Sequence, residues 1–225
     1  MRVVIRIGGS VIASPTNISL ISEYSSLLTR LKTEGFEIAA VVGGGALARK
    51  FIKIGNQLEL SEEDQDWLAI YVSRLYALAL SLKLGDEGIG HVPSSIKEIK
   101  EALNQGRIVV VGGLKPGMTT DTVAAHVAKQ MGAKILVKAT DQDGVYTKDP
   151  RKFPSTKKLF NLSYKELTTF LEKDRHKAGI HQILDPTAVK ILEKENMTVK
   201  VVNGFDPQNI DDALKGKKVG TTIAE

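Results

Sequence analysis

Four strand-like runs of apolar residues in this chain end in segments that could bind phosphate. Three of them lead directly into glycine clusters, which are Gly8-Gly9-Ser10, Gly43-Gly44-Gly45 and Gly112-Gly113. The fourth leads into the acidic turn Thr140-Asp141-Gln142-Asp143-Gly144. Because glycine has no Cβ, backbone N–H groups in such turns can approach a phosphate closely. The pattern therefore predicts a protein that handles a phosphorylated molecule, with more than one phosphate bound at a time.

The elements that must position these segments alternate between strands and helices. Short β-branched runs such as 3–7, 38–42 and 108–111 are typical of buried parallel strands, whose carboxyl ends form the ligand-binding edge of an open α/β sheet. Helical spacing and capping residues predict helices at 18–31, 46–58, 61–84, 95–103, 120–131, 163–171, 186–194 and 209–214. Further strands are expected at 89–92, 134–139, 198–202 and 219–223, and a polar loop at 173–184. Alternation of this kind predicts an α/β protein with a mainly parallel sheet covered on both faces.

Composition narrows the class of protein. The chain has 225 residues, 42% hydrophobic and 25% charged, which suits a single domain with one substantial core. It contains no cysteine, so disulfides, thiolate metal sites and a cysteine nucleophile are excluded. The apolar runs are too short for a membrane span, and the first residues lack the pattern of a signal peptide, so we expect a cytoplasmic protein without a membrane partner.

Net charge raises the question of a nucleic-acid partner. The formal net charge is +5, but the 31 basic residues are spread along the chain and mixed with 26 acidic ones. No basic block with interleaved aromatic residues occurs. This distribution favours solvated faces and a small anionic substrate, so we expect no nucleic-acid partner.

Two common phosphate-binding fingerprints are missing from the sequence. No G-x-x-x-x-G-K-[ST] segment occurs, and no G-x-G-x-x-G follows the first strand. The sequence therefore disfavours a P-loop and a dinucleotide-binding site. The four histidines, His91, His126, His176 and His181, show no metal-ligand spacing, and no protein metal site is predicted.

Five motifs together point to a known family. In chain order they are Ile7-Gly8-Gly9-Ser10, Val42-Gly43-Gly44-Gly45, GGLKPGMTTD at 112–121, TDQDGVYTKDP at 140–150 and DPTAVK at 185–190. With these motifs the chain resembles the amino-acid kinase superfamily, and within it the uridylate kinases of the archaeal type. The resemblance implies a three-layer α/β/α sandwich formed by one domain over residues 1–225. It also implies MgATP as phosphoryl donor, UMP as acceptor, UDP as product and a homohexamer.

The resemblance assigns ligands to particular positions. The acceptor side lies mainly in the N-terminal part of the domain and the ATP side mainly in the C-terminal part. Residues matched to ATP are Gly9, Ser10, Gly45, Arg49, Thr140, Asp141, Tyr146 and Asp149. Residues matched to UMP are Gly44, Asp66, Leu114, Lys115, Pro116, Gly117, Met118, Thr119 and Thr120. Relatives commonly carry asparagine where this chain has Asp141, and the added negative charge is expected to weaken nucleotide binding unless it helps to hold Mg²⁺.

Charge neutralisation during phosphoryl transfer is assigned in the same way. The superfamily often places a lysine on the first strand and a second lysine late in the chain, bridged by an aspartate. Here the corresponding residues are Arg6, Lys190 and Asp121. Arginine keeps the charge but spreads it over a planar fork, so its geometry differs from that of lysine. No catalytic base is predicted, because a phosphate monoester is already ionised at neutral pH.

Two other functions remain open from the sequence. The same fold could phosphorylate another small acceptor, such as isopentenyl phosphate or acetylglutamate. Isopentenyl phosphate kinases usually present a histidine near the second glycine cluster, and this chain has none near Gly43, Gly44 and Gly45. A nucleotide sensor without turnover is the other alternative, although the retained candidate charges disfavour it.

Overall fold

A seven-stranded sheet forms the centre of the computed structural model, which describes residues 1–150, 152–153, 155–174 and 183–225. The strands in the described residues are β1 (Arg2–Ile7), β2 (Glu37–Val42), β3 (Val109–Val111), β4 (Ile135–Thr140), β5 (Val145–Tyr146), β6 (Lys158–Leu159), β7 (Asn161–Leu162), β8 (Thr198–Asn203) and β9 (Thr221–Ile223). The sheet has the order β3-β2-β1-β4-β8-β9-β7, and β5 and β6 form a separate hairpin-like pair. Strand β1 lies between β2 and β4, so its carboxyl end lies between theirs.

Most strands of the sheet are parallel. Strand β1 pairs in parallel with β2 and β4, β2 with β3, and β4 with β8. Strand β9 is antiparallel to β8 and parallel to β7, so β9 and β7 run against the other five strands of the sheet. The predicted mainly parallel sheet is confirmed, and the antiparallel β9 was not foreseen.

Helices cover both faces of the sheet. The helices in the described residues are α1 (Gly9–Ile12), α2 (Ile18–Thr33), α3 (Gly45–Gln57), α4 (Glu62–Lys83), α5 (Ile96–Leu103), α6 (Thr120–Met131), α7 (Tyr164–Asp174), α8 (Pro186–Lys194) and α9 (Gln208–Leu214). Alternate residues of β1 belong to two different cores: Ile5 lies in the core under α2 and α4, whereas Val4 lies in the core under α6 and α8. The three-layer α/β/α sandwich is therefore confirmed. None of the helices in the described part of the chain is long and apolar enough to cross a membrane.

Helix starts follow the sequence signals closely. The side chain of Ser61 accepts the N–H of Asp64 at the start of α4, and that of Thr119 accepts the N–H of Thr122 at the start of α6. Asp185 caps α8 by accepting two backbone N–H groups, and Pro186 occupies the first helical position, where its missing N–H costs nothing.

Two local predictions were wrong. No strand forms at 89–92, where Gly88 makes only an isolated bridge to Ile108 and Gly90 has a φ of +75°, which interrupts extended backbone. Helix α7 continues to Asp174, so the first residues of the expected loop at 173–184 are helical. The rest of that loop lies largely outside the described residues, as do His176 and His181.

Candidate active site

The first two glycine clusters touch each other at the carboxyl edge of the sheet. A Cβ on Gly9 would lie 2.1 Å from the backbone nitrogen of Gly45, and Gly45 itself has a φ of +61°. Ser14 stabilises the contact, since its Oγ donates a hydrogen bond to the carbonyl of Gly9 and accepts one from the N–H of Ala46. These glycines are therefore required by the close approach of two backbones as well as by any ligand. The N-terminus of α3 opens at this point, where its unpaired N–H groups favour an anion.

Arg6 reaches the same edge from β1. Its guanidinium is close to the first two clusters, because a methyl on Gly8 would lie 3.2 Å from Nη1 and one on Gly43 would lie 3.6 Å from Nη2. Nη2 also donates to Oγ1 of Thr120 at 2.9 Å, on the first turn of α6. Arg6 thus places a positive charge between the glycine clusters and the start of α6.

Asp121 joins two cations beneath this edge. Its Oδ1 lies 2.8 Å from Nε of Arg6, and its Oδ2 accepts a hydrogen bond of 2.6 Å from Nζ of Lys138. Burial alone would raise the pKa of Asp121, but the adjacent Arg6 and Lys138 outweigh it and hold that pKa below its ordinary value. The carboxylate of Asp121 is therefore ionised at neutral pH.

Lys138 is the member of the Arg6, Asp121 and Lys138 cluster that the sequence did not predict. It lies in the middle of β4 and is buried, and its ammonium group also donates to the carbonyl of Ile183 just before α8. Burial lowers the pKa of Lys138, and the pairing with Asp121 opposes that effect. A signal was present in the sequence, because a single lysine in the apolar run 135–139 is unlike a solvated surface residue.

We expected Asp121 to connect Arg6 with Lys190. In the structure the second cation on Asp121 is Lys138, whereas Lys190 is exposed on α8, and no hydrogen bond or ion pair ties its side chain to the rest of the described chain. The difference arises because β4 lies beside β1 and so brings Lys138 next to Arg6 in the parallel register. A catalytic role for Lys190 stays a prediction.

A cavity of about 330 Å³ opens beside the cluster. Most residues assigned to the acceptor line it, namely Gly44, Asp66, Lys115, Gly117, Met118, Thr119 and Thr120, together with Ala48, Ala69, Ile70, Ser73 and Gly113. Oδ2 of Asp66 accepts the N–H of Gly117 at 2.7 Å, so the acceptor segment is bonded to α4 across the mouth of the cavity. Leu114 is buried behind that segment, and neither it nor Pro116 lines the cavity.

Asp185 links the acceptor segment to α8. Its carboxylate accepts the hydroxyl of Thr119 at 2.6 Å and that of Thr122 at 2.8 Å, while it also caps α8. The first turns of α6 and α8 are therefore held together at the carboxyl edge of the sheet. This contact places α8, which carries Lys190, beside the acceptor segment.

The residues assigned to the donor nucleoside lie at the carboxyl end of β4. The hydroxyl of Thr140 donates to Asp141 at 3.2 Å. Tyr146 on β5 donates its hydroxyl to Asp143 at 2.5 Å, and Asp143 also pairs with Lys158 on β6. Beyond this turn, Asp149 is buried. The close contact between Gly9 and Gly45 is called the glycine seam below. Arg49, assigned to the ATP phosphates, is exposed on α3, one turn from this seam.

The glycine seam and the Arg6, Asp121 and Lys138 cluster lie together at the carboxyl edge of the mainly parallel sheet, an arrangement suited to binding phosphate groups. The model of the amino acid kinase family matches residues 1–203, and the chain belongs to that family. It is 42% identical over 225 residues to the uridylate kinase of Methanocaldococcus jannaschii and 39% identical over 221 residues to that of Hyperthermus butylicus. The matches cover 99% of both chains in the first comparison, and 98% of this chain and 97% of the relative in the second.

A solved structure agrees with these relatives. The crystal structure of uridylate kinase from Archaeoglobus fulgidus superposes with a TM-score of 0.89 at 34% sequence identity, and the match covers 100% of both chains. A UMP kinase structure from Bacillus anthracis, at 22% identity and a TM-score of 0.83, shares the fold.

Proposed function

We propose that this protein is a uridylate kinase, which transfers the γ-phosphoryl group of ATP to UMP and forms UDP and ADP. The observation that carries the proposal is the cavity beside the Arg6, Asp121 and Lys138 cluster, which Asp66 lines together with Lys115, Gly117, Met118, Thr119 and Thr120. Full-length relatives named uridylate kinase support the choice of acceptor.

In this proposal the acceptor nucleotide occupies the 330 Å³ cavity. Asp66 accepts hydrogen bonds from the ribose hydroxyls. A carboxylate has two acceptor oxygens, so it can do this while it keeps the hydrogen bond from the N–H of Gly117. The phosphate of UMP then lies against Gly44 and the first turn of α6. Backbone N–H groups and threonine hydroxyls at these positions are suitable donors to phosphate oxygens.

The transfer step needs positioning and charge neutralisation more than proton removal. An ionised oxygen of the UMP phosphate attacks the γ-phosphorus, the bond from that phosphorus to the bridging oxygen of ADP breaks, and ADP keeps the electron pair. Arg6 is placed to stabilise the negative charge that spreads over the transferred group. Asp121 orients Arg6 and Lys138 and stays ionised throughout.

ATP is assigned to the other half of the edge, with its phosphates at Gly9, Ser10, Gly45 and Arg49 and its nucleoside near Thr140, Asp141, Tyr146 and Asp149. Mg²⁺ usually keeps several waters and binds through substrate phosphates and one or two carboxylates. Asp141, at the end of β4, provides a carboxylate that fits this donor set. When bound, Mg²⁺ would neutralise phosphate charge.

We also propose a cytoplasmic homohexamer. Large apolar side chains on one face of α4 are exposed, with Tyr71, Leu75 and Leu82 at 63%, 61% and 60% of their full area. Contiguous exposed apolar surface of this kind often marks an interface between protein chains. This face supports contact between copies of the chain.

An acceptor panel tests the proposed function. ADP formation from MgATP is followed with UMP, CMP, AMP, isopentenyl phosphate and acetylglutamate as alternative acceptors. UMP is expected to give the highest kcat/KM. Faster turnover of isopentenyl phosphate or acetylglutamate would change the acceptor, and no turnover with any of them would favour a nucleotide sensor.

A further inference from the structure

The segment assigned to the acceptor is held from behind by one helix. Helix α4 packs so tightly against the end of β3 that a Cβ on Gly112 would lie 2.7 Å from the backbone nitrogen of Arg74. Gly112 is therefore required by the approach of α4, and this explains part of the third glycine cluster without a ligand. The close packing brings the side chains of Ser73 and Arg74 against the backbone that follows.

These two side chains bind three successive backbone groups. Oγ of Ser73 accepts the N–H of Gly113 at 2.7 Å. Arg74 donates from Nε to the carbonyl of Gly113 at 2.8 Å and from Nη2 to the carbonyl of Leu114 at 2.9 Å. Together they fix the path of the chain at the point where it leaves β3 and enters the cavity.

The guanidinium group of Arg74 is itself held in place. The rings of Trp67 and Tyr71, on the same face of α4, each have their centre 5.9 Å from its central carbon. Such contacts restrict a planar cation, and only a guanidinium offers two rigid donors that match two neighbouring carbonyls. Lysine at this position keeps the charge but can hold only one of the two carbonyls well.

We infer that Arg74 is a positioning residue for the acceptor, which acts through segment 113–118. Arg74 does not line the cavity. The residues that follow the carbonyls of Gly113 and Leu114 do line it, namely Lys115, Gly117 and Met118. Arg74 therefore acts on the acceptor through the backbone and leaves the glycine seam on the ATP side untouched. The inference rests on the proposed function only for the identity of the acceptor.

Initial-rate kinetics of Arg74→Lys test the role. A displacement of about 1 Å in a substrate-positioning segment misplaces the bound substrate, so the KM for UMP is expected to rise at least about tenfold. The KM for ATP should change less than about threefold, since the seam is intact. Lys83→Ala, which removes an exposed cation from the same helix, is the matched control and should leave both constants unchanged. Added guanidinium is expected to restore part of the UMP affinity of Arg74→Ala.

Hydrogen exchange of the ligand-free protein supplies a second readout that does not depend on catalysis. Amides in 113–118 are expected to exchange faster in Arg74→Lys than in the wild type, with unchanged exchange in β1 and β4. Unchanged exchange in 113–118, or equal increases in the KM for UMP and ATP, would overturn the inference. If the wild type does not phosphorylate UMP, the proposed function fails, and the exchange measurement alone then decides whether Arg74 positions the segment.

Discussion

Lys138 and Arg6 both pair with the buried carboxylate of Asp121. Removal of either cation therefore changes the charge that surrounds Asp121 and the remaining cation. Lys138→Met keeps most of the side-chain volume but leaves Asp121 with Arg6 alone. Loss of one member of a buried ion pair is strongly destabilising, and here we expect about 3 kcal/mol because Arg6 remains. Urea unfolding measures the difference. Lys134→Met, at an exposed position just before the same strand, should change the free energy of unfolding by less than about 0.5 kcal/mol.

The same variant should change the response to acid. The pKa of Asp121 is lower in the folded protein than in the unfolded chain, so its stabilising effect is present above the unfolded pKa and is lost as the pH falls through the folded pKa. Without Lys138, burial raises the pKa of Asp121, and the acid-side loss of stability should begin at a higher pH. Free energies of unfolding measured across the acid range would contradict this account if the two curves differed only by a constant offset.

Lys190 gives a residue-scale prediction of a different kind. If this exposed lysine stabilises charge on the transferred phosphoryl group, Lys190→Ala should lower kcat more than tenfold, equivalent to about 1.4 kcal/mol or more. Lys194→Ala, on the last turn of the same helix, is the control. An unchanged kcat would remove Lys190 from the catalytic residues and leave charge stabilisation to Arg6.

At the scale of elements, we expect the contact between α1 and α3 to set the geometry of the ATP phosphates. Gly9→Ala would push a methyl into the backbone of Gly45 and displace the start of α3. A displacement of about 1 Å is expected to lower kcat/KM for ATP about a hundredfold.

Gly55→Ala, also in α3, is the control for this steric effect. Its methyl would lie 2.9 Å from Cγ of Gln65 and 3.2 Å from Cδ1 of Leu68, side-chain atoms that can shift more easily than the backbone of Gly45. Steady-state kinetics with varied ATP compare the two variants, and similar values for both would show that the seam does not position ATP.

The elements also show what the sequence could predict. Helix starts at Ser61, Thr119 and Asp185 were predictable because capping depends on neighbouring residues. The short β5, β6 and β7 and the four-residue α1 were not, since tertiary contacts stabilise them more than local pattern does.

The same distinction holds within the site. The acceptor segment was visible as a motif, whereas the pairing of Asp121 with Lys138 depends on strand order. Arg74 gives no signal in the sequence, because a helical arginine bonded to distant carbonyls looks like any surface arginine.

At the scale of the whole molecule, the exposed apolar face of α4 predicts assembly. The wild type is expected to sediment at about six times the 24.4 kDa chain, whereas Leu75→Glu should give smaller species because it places a charge in the contact. Lys97→Glu, an exposed change on α5, should not alter the mass. Analytical ultracentrifugation would contradict the proposal if the wild type were a monomer at micromolar concentration.

The proposed reaction itself is tested most directly by following phosphorus. Phosphorus NMR of the wild-type protein with MgATP and UMP resolves ATP, ADP, UDP and inorganic phosphate in one sample. The predicted result is loss of the ATP γ-phosphorus signal with matching growth of the UDP signals and no accumulation of inorganic phosphate. Release of inorganic phosphate without UDP, or no change in ATP while UMP is present, would contradict phosphoryl transfer to UMP.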